Sequence, residues 1–199
     1  MQNVETPYSG GGIAGELAGE LWITKNWILT GGYDFQNATL TDAAGNSIGS
    51  ATWSQIHLLG GFRIYPEGMA EGIVLTAGLG FEATGLQIPS NAALSIGGRR
   101  FSGPVVQVDG DVFFLENQKI NAGFAIQPFV SFTETGPSLG TPNGGTVIGI
   151  YLGWSHLIFD QLWLKIGLRY DAANGNYENT SSGLTEKRFA IGPGVYYLF

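Results

Sequence analysis

Glu16 and Glu20, and again Asp109 and Asp111, are carboxylate pairs separated by an even number of positions. On an extended chain, even spacing puts both members on one face. Two carboxylates can begin a divalent-cation site, but such a site takes ~6–8 oxygens, and the spacing supplies no more. No metal site is expected. His57 and His156 are the only histidines, and Ser155 precedes His156 as a nucleophile precedes a base. Neighbours on a strand point to opposite faces, and no third group orients the imidazole, so no catalytic group is expected. There is no Walker loop, zinc spacing or nucleophile elbow, and Gly10–Gly12 does not open a helical pattern. No cofactor is implied. What remains is a charge set: Glu16, Glu20, Asp34, Glu82, Asp109, Asp111 and Asp171 against Arg63, Lys165, Arg169 and Arg188. Its chemistry is pairing, because charges withdrawn from water must meet partners or stay hydrated. Carboxylates are in excess, so an ion path through this set would favour cations.

These charges lie on one face of segments that alternate with period two. The segments are residues 11–22, 27–40, 51–65, 73–84, 104–115, 120–133, 146–158, 162–172 and 188–199. Residues Ile56, Leu58, Phe62 and Ile64 alternate with Gln55, His57, Leu59, Gly61 and Arg63, and the other segments read alike. In the sixth, Val130 and Phe132 fall on the apolar face with Phe124 and Ile126. Short connections follow the odd-numbered segments. Longer ones, 41–50, 85–103, 134–145 and 173–184, follow the even-numbered ones, and Arg99 and Arg100 lie in the longest. Pro128 and Pro193 sit inside segments, where each removes a ladder donor.

Charged residues make up only 13% of the chain, about half the usual share. No apolar run approaches the ~18 residues of a membrane helix. Sparse charge without helical spans fits a transmembrane β-barrel, whose apolar and interior residues interleave. Each segment, about 11–15 residues, exceeds the ~9–11 that cross a bilayer when tilted. Glycine, 32 of 199 residues, suits tight turns and curved sheet. Cysteine is absent, and the net charge of −7 argues against a nucleic-acid partner. Residues 1–7 carry neither a basic nor an apolar signal region, so an exported chain would already have lost its leader.

The last segment places Phe189, Ile191, Pro193, Val195, Tyr197 and Phe199 on one face and ends on the aromatic. This pattern resembles the closing strand of small bacterial outer-membrane β-barrels of the OmpA/OmpX, OmpW or opacity-protein type. The resemblance implies that Phe199, Tyr197 and Val195 form the signal read by the barrel-assembly machinery. It implies a multi-pass protein of the Gram-negative outer membrane, in contact with lipid and lipopolysaccharide and with other envelope proteins as possible partners.

The expected fold is therefore all-β, a single antiparallel up-and-down barrel domain over residues 1–199, with nine strands read and eight to ten in total. Residues 1–9 would be an extension or a short extra strand. Outer-membrane barrels usually have an even strand number. Ten strands are favoured; a lost upstream strand, or nine closing through a parallel first–last pair, are the other solutions. The expected role is non-enzymatic, structural or in surface interaction through the long loops. The alternatives are a narrow porin-like channel and a lipid-modifying enzyme, since lipid A deacylases use a His–Ser pair near a late strand. Trp22, Trp27, Trp154, Trp163, Tyr65, Tyr170 and Tyr197 are expected in an interfacial girdle. The Gly-Pro-Gly centre of the last segment reads either as relief of sheet curvature or as a weak point at the closing seam, the first being favoured.

Overall fold

Alternation becomes a wall of nine strands. The computed structural model of the protein describes residues 9–42, 44–66, 72–88, 98–135, 140–178 and 183–199. Strands run in chain order: β1 Ser9–Trp22, β2 Trp27–Thr41, β3 Ser47–Ile64, β4 Ile73–Gln87, β5 Gly98–Leu115, β6 Gln118–Thr135, β7 Pro142–Phe159, β8 Leu162–Tyr177 and β9 Gly183–Leu198. Each pairs with the next, and β9 closes on β1. Consecutive pairs are antiparallel, but β1 and β9 are parallel. The all-antiparallel expectation is thus corrected: when an odd number of strands alternates in direction, the first and last must point the same way. Of the postulated extra strand, residues 1–8 lie outside the described residues, and Ser9 begins β1.

The strands overrun the expected boundaries at one end. β4 continues to Gln87 and β5 starts at Gly98, so Arg99 and Arg100 are strand residues. Glu134, Ala173–Tyr177 and Leu184 likewise belong to strands. The long loops are therefore much shorter than their polar composition suggested. Glycine- and threonine-rich stretches read as turns until a partner strand supplies the ladder. We call this the loop end, and the opposite end, where β5–β6 and β7–β8 join through two-residue turns, the turn end. In the β7–β8 turn Asp160 adopts a left-handed conformation (φ 41°), which Asp tolerates better than most side chains.

The outer face is apolar: Leu17, Ile56, Leu58, Leu79, Phe81, Ile150 and Ile191 are all exposed. One expected outward row is wrong. Val130 and Phe132 are buried inside, while Phe129 is 79% exposed outside. The register against β7 shifts between Gln127 and Val130, around Pro128. A bulge there absorbs the missing proline donor and flips the parity of the rest of the strand.

At Gly80 the wall leaves no room for a side chain. An ideal Cβ would sit 2.0 Å from the Leu58 carbonyl oxygen, whereas at Gly60 nothing lies nearer than 3.9 Å. Gly80→Ala should therefore part β3 from β4 and cost on the order of 1–3 kcal/mol, as overpacking does. Gly60→Ala should be close to neutral. Urea midpoints of the two variants check this; equal midpoints would contradict it.

Candidate functional site

All the charges assigned to the interior from sequence do face the lumen. Arg169 on β8 is the hub. Its guanidinium lies 2.9 Å from Asp171, 3.4 Å from Asp34 and 3.7 Å from Glu82. Arg188 on β9 meets Asp171 at 2.5 Å, donates to Gln55 at 3.2 Å and stacks over Trp53 at 4.9 Å. Gln127 donates to Glu82. The four strands β2, β4, β8 and β9 are thus joined across the lumen by one ionic cluster, not through the wall alone.

Toward the turn end, Arg63 pairs with Glu20 at 2.6 Å, and Lys165 with Glu16 at 2.7 Å. Trp22 donates its indole N–H to Glu20 at 2.5 Å and lies under Arg63. Lys119 pairs with Asp111 at 3.1 Å and sits among the rings of Phe113, Trp163 and Tyr196, 5.2–5.5 Å from their centroids. Trp163 is therefore a lumen residue, 5% exposed, and not part of an outer girdle. Trp27, Trp154 and Tyr197 do face outward.

Sequence reading missed Lys119, placed in a turn, and Arg99, Glu134 and Glu186, placed outside the charge set. Arg99 donates to Glu134 at 3.1 Å and also to Glu186, and Tyr177 donates to Glu134 at 3.0 Å. The signal that would have found Lys119, Arg99 and Glu186 is phase: each keeps the even spacing of the inward residues on its own strand once the strand is extended, whereas Glu134 lies beyond the parity change at Pro128.

On β5 and β6 the interior turns apolar between Arg99–Glu134 and the central charges. Phe101, Val130, Phe132, Val147, Ala173 and Tyr177 form one buried cluster, with Phe101 and Phe132 stacked at 4.8 Å. Leu40, Ala51, Trp53, Leu86 and Ile88 form another beside it. Neither cluster lines the lumen cavity, of about 180 Å³, which occupies the middle and the turn half of the lumen.

Asp109 lines that cavity. Its carboxylate accepts from Gln107 at 2.9 Å and from Tyr151. Among the described residues it has no ion pair, unlike Asp111. A Cβ at Gly123, opposite Asp109 and Tyr151, would lie 2.3 Å from both side chains, so a larger residue there would push this pair apart. Among the described residues no group of three or more His, Cys, Asp and Glu is arranged to hold a metal. Ser155 is buried in the lumen, whereas His156 stacks on the outward Trp154 at a centroid distance of 6.0 Å. Those two side chains do not meet.

The β2–β3 connection at the loop end is held by its own Asp42. The carboxylate accepts from Asn46 Nδ2 at 3.1 Å and from the backbone N–H of Asn46 and Ala44 at 2.8 and 2.9 Å. These bonds, the Asn46 amide foremost, hold the Asp42 carboxyl below its ordinary value.

At the other end of the chain, the outward rings of Tyr197 and Phe199 meet edge to face at 4.6 Å. The Phe199 N–H donates to the Glu20 carbonyl at 2.8 Å, so the carboxy-terminal residue is tied to β1. No protein-family model, no curated protein and no solved structure matches this chain.

Proposed function

We propose that this protein is an integral, non-enzymatic β-barrel of the bacterial outer membrane, with a structural or surface-interaction role. The observation that carries the reading is the inversion of faces: exposed Leu, Ile, Val and Phe outside, ionic network inside. In water such an outer surface would far exceed the apolar patch a monomer exposes. In lipid it is the expected wall, and the β1–β9 ladder closes the sheet on itself. Val195, Tyr197 and Phe199 lie on the outward face, where assembly machinery and lipid would meet them. The contact surface for envelope partners is then a rim of short connections on tall strands, not a set of long loops.

The apolar clusters across the loop end count against the alternative of a narrow ion path, because hydrated ions do not cross a packed hydrophobic layer. The separated Ser155 and His156 count against a lipid-modifying enzyme. Two measurements test the reading. Refolded protein should run faster on a detergent gel unboiled than boiled, and planar bilayers containing it should show no unitary current steps. Identical migration, with release of the protein from membranes by carbonate, would overturn the membrane assignment. Regular cation-selective steps would replace the structural role by the channel.

A further inference from the structure

The wall is closed unevenly. The β1–β9 ladder covers only Glu16–Gly194 to Glu20–Leu198. The next residue up β9 is Pro193, which has no N–H to give. The ladder to β8 passes Pro193 opposite Ile166 without a shift, so the lost pairing falls on the β1 side. Above this point β1 is laddered to β2 alone and β9 to β8 alone. The two strands still touch: an ideal Cβ on Gly192 lies 2.6 Å from the Ala14 carbonyl oxygen and 3.2 Å from the Ala14 Cβ. Contact without hydrogen bonds closes this stretch, and contact is what a modest strand displacement removes.

The lumen cavity reaches this seam. Its lining includes inward Ala14 and Gly192 and also Gly15, Phe35, Leu168 and Pro193, whose positions belong to the outward face. At about 180 Å³ it exceeds the ~150 Å³ cavity that admits benzene. Across the lumen, on β5, stands Asp109, a carboxylate with no ion pair among the described residues. Asn121, on the neighbouring strand, lines the same cavity, and its Oδ1 has no hydrogen-bond partner among the described residues. The Tyr151 ring beside them already attracts a cation, Lys165 Nζ at 5.5 Å, whose charge is met by Glu16. Two oxygen acceptors and a phenol ring suit an ammonium group, which donates three hydrogen bonds and is drawn to a π face.

We propose that the lumen cavity binds a small primary alkylamine, which enters sideways through the upper β1–β9 seam. Its ammonium sits on Asp109 and Asn121, and its hydrocarbon part points back toward Phe35 and Leu168. The sideways route rests on the membrane reading above; the ammonium seat does not.

Octylamine is the probe, titrated calorimetrically into the barrel in lipid nanodiscs, with empty nanodiscs as the background and octanoate as the opposite-charge control. Saturable octylamine binding with no octanoate binding is expected. Asp109→Asn should weaken it at least tenfold. The chain has no cysteine, so Ala14→Cys with Gly192→Cys gives one defined cross-link; because the Cβ at 192 also crowds the Ala14 carbonyl and itself displaces the strands, the comparison is between the oxidised and the reduced form of this same variant. Oxidised, this pair should slow octylamine association at least tenfold, and reductant should restore it. Inserted, heat-modifiable barrel that binds no octylamine, or binds octanoate equally, overturns the site, and that contrast needs no variant. An association rate indifferent to the cross-link overturns the route. Failure to insert or to shift on heating would instead overturn the membrane reading, and is read separately.

Discussion

Arg169→Met should lower the unfolding free energy by about 3–5 kcal/mol, the usual cost of removing one partner from a buried ionic cluster. The size reflects the charges left behind. Asp34, Asp171 and Glu82 converge on this guanidinium from three strands. Asp171 keeps Arg188, but neither Asp34 nor Glu82 has another ion pair among the described residues. Their desolvation is then uncompensated. If the cost is stranded charge and not lost packing, removing the negative partners should recover much of it. Arg169→Met with Asp34→Asn and Glu82→Gln should therefore be more stable than Arg169→Met alone. Urea titration followed by gel migration of folded and unfolded forms measures both. A triple variant no more stable than the single one would show that Arg169 acts through shape.

Leu79→Arg should cost about 2–4 kcal/mol, the penalty for a cationic side chain near the bilayer midplane on the lipid face of a barrel. Leu79 lies near the middle of β4, is 68% exposed and touches no charge network. On a water-facing surface the same substitution would stay within ~0.5 kcal/mol, as exposed substitutions generally do. Its effect thus reports the solvent outside the wall. Ser47→Arg, at the exposed loop-end start of β3, is the matched control and should be nearly silent. The difference between the two in lipid vesicles is the reading. Two equally small effects would mean that lipid does not cover Leu79.

Much of this molecule was legible along the chain. In β3 every side chain from Gln55 to Ile64 faces as its parity required. The same holds for the outward row that ends at Phe199. All the interior charges named from alternation face the lumen, because facing is a local property of extended backbone. The errors have local causes too. Val130 and Phe132 were misplaced because the bulge at Pro128 resets the period, and a proline signals trouble without saying how the strand absorbs it. Arg99, Glu134 and Glu186 were missed because polar, Gly-rich stretches have no intrinsic strand signal. Their partners across the barrel make them strands.

Outside the bulge at Pro128, sequence alone determined which side chains of the alternating segments face in and which face out, and with that the central lumen charges, the apolar wall and the outward carboxy-terminal aromatic. The physical reason is that a two-residue period is written into every stretch of extended chain, whatever it pairs with. Only the tertiary structure decided how the wall closes. That nine strands meet through a short parallel ladder ending at Gly194, just short of Pro193, that the loop end is packed with rings, and that Asp109 has no ion pair among the described residues while its neighbours find theirs depend on register between residues far apart in the chain. Register is chosen by the whole closed sheet at once, not by any one strand.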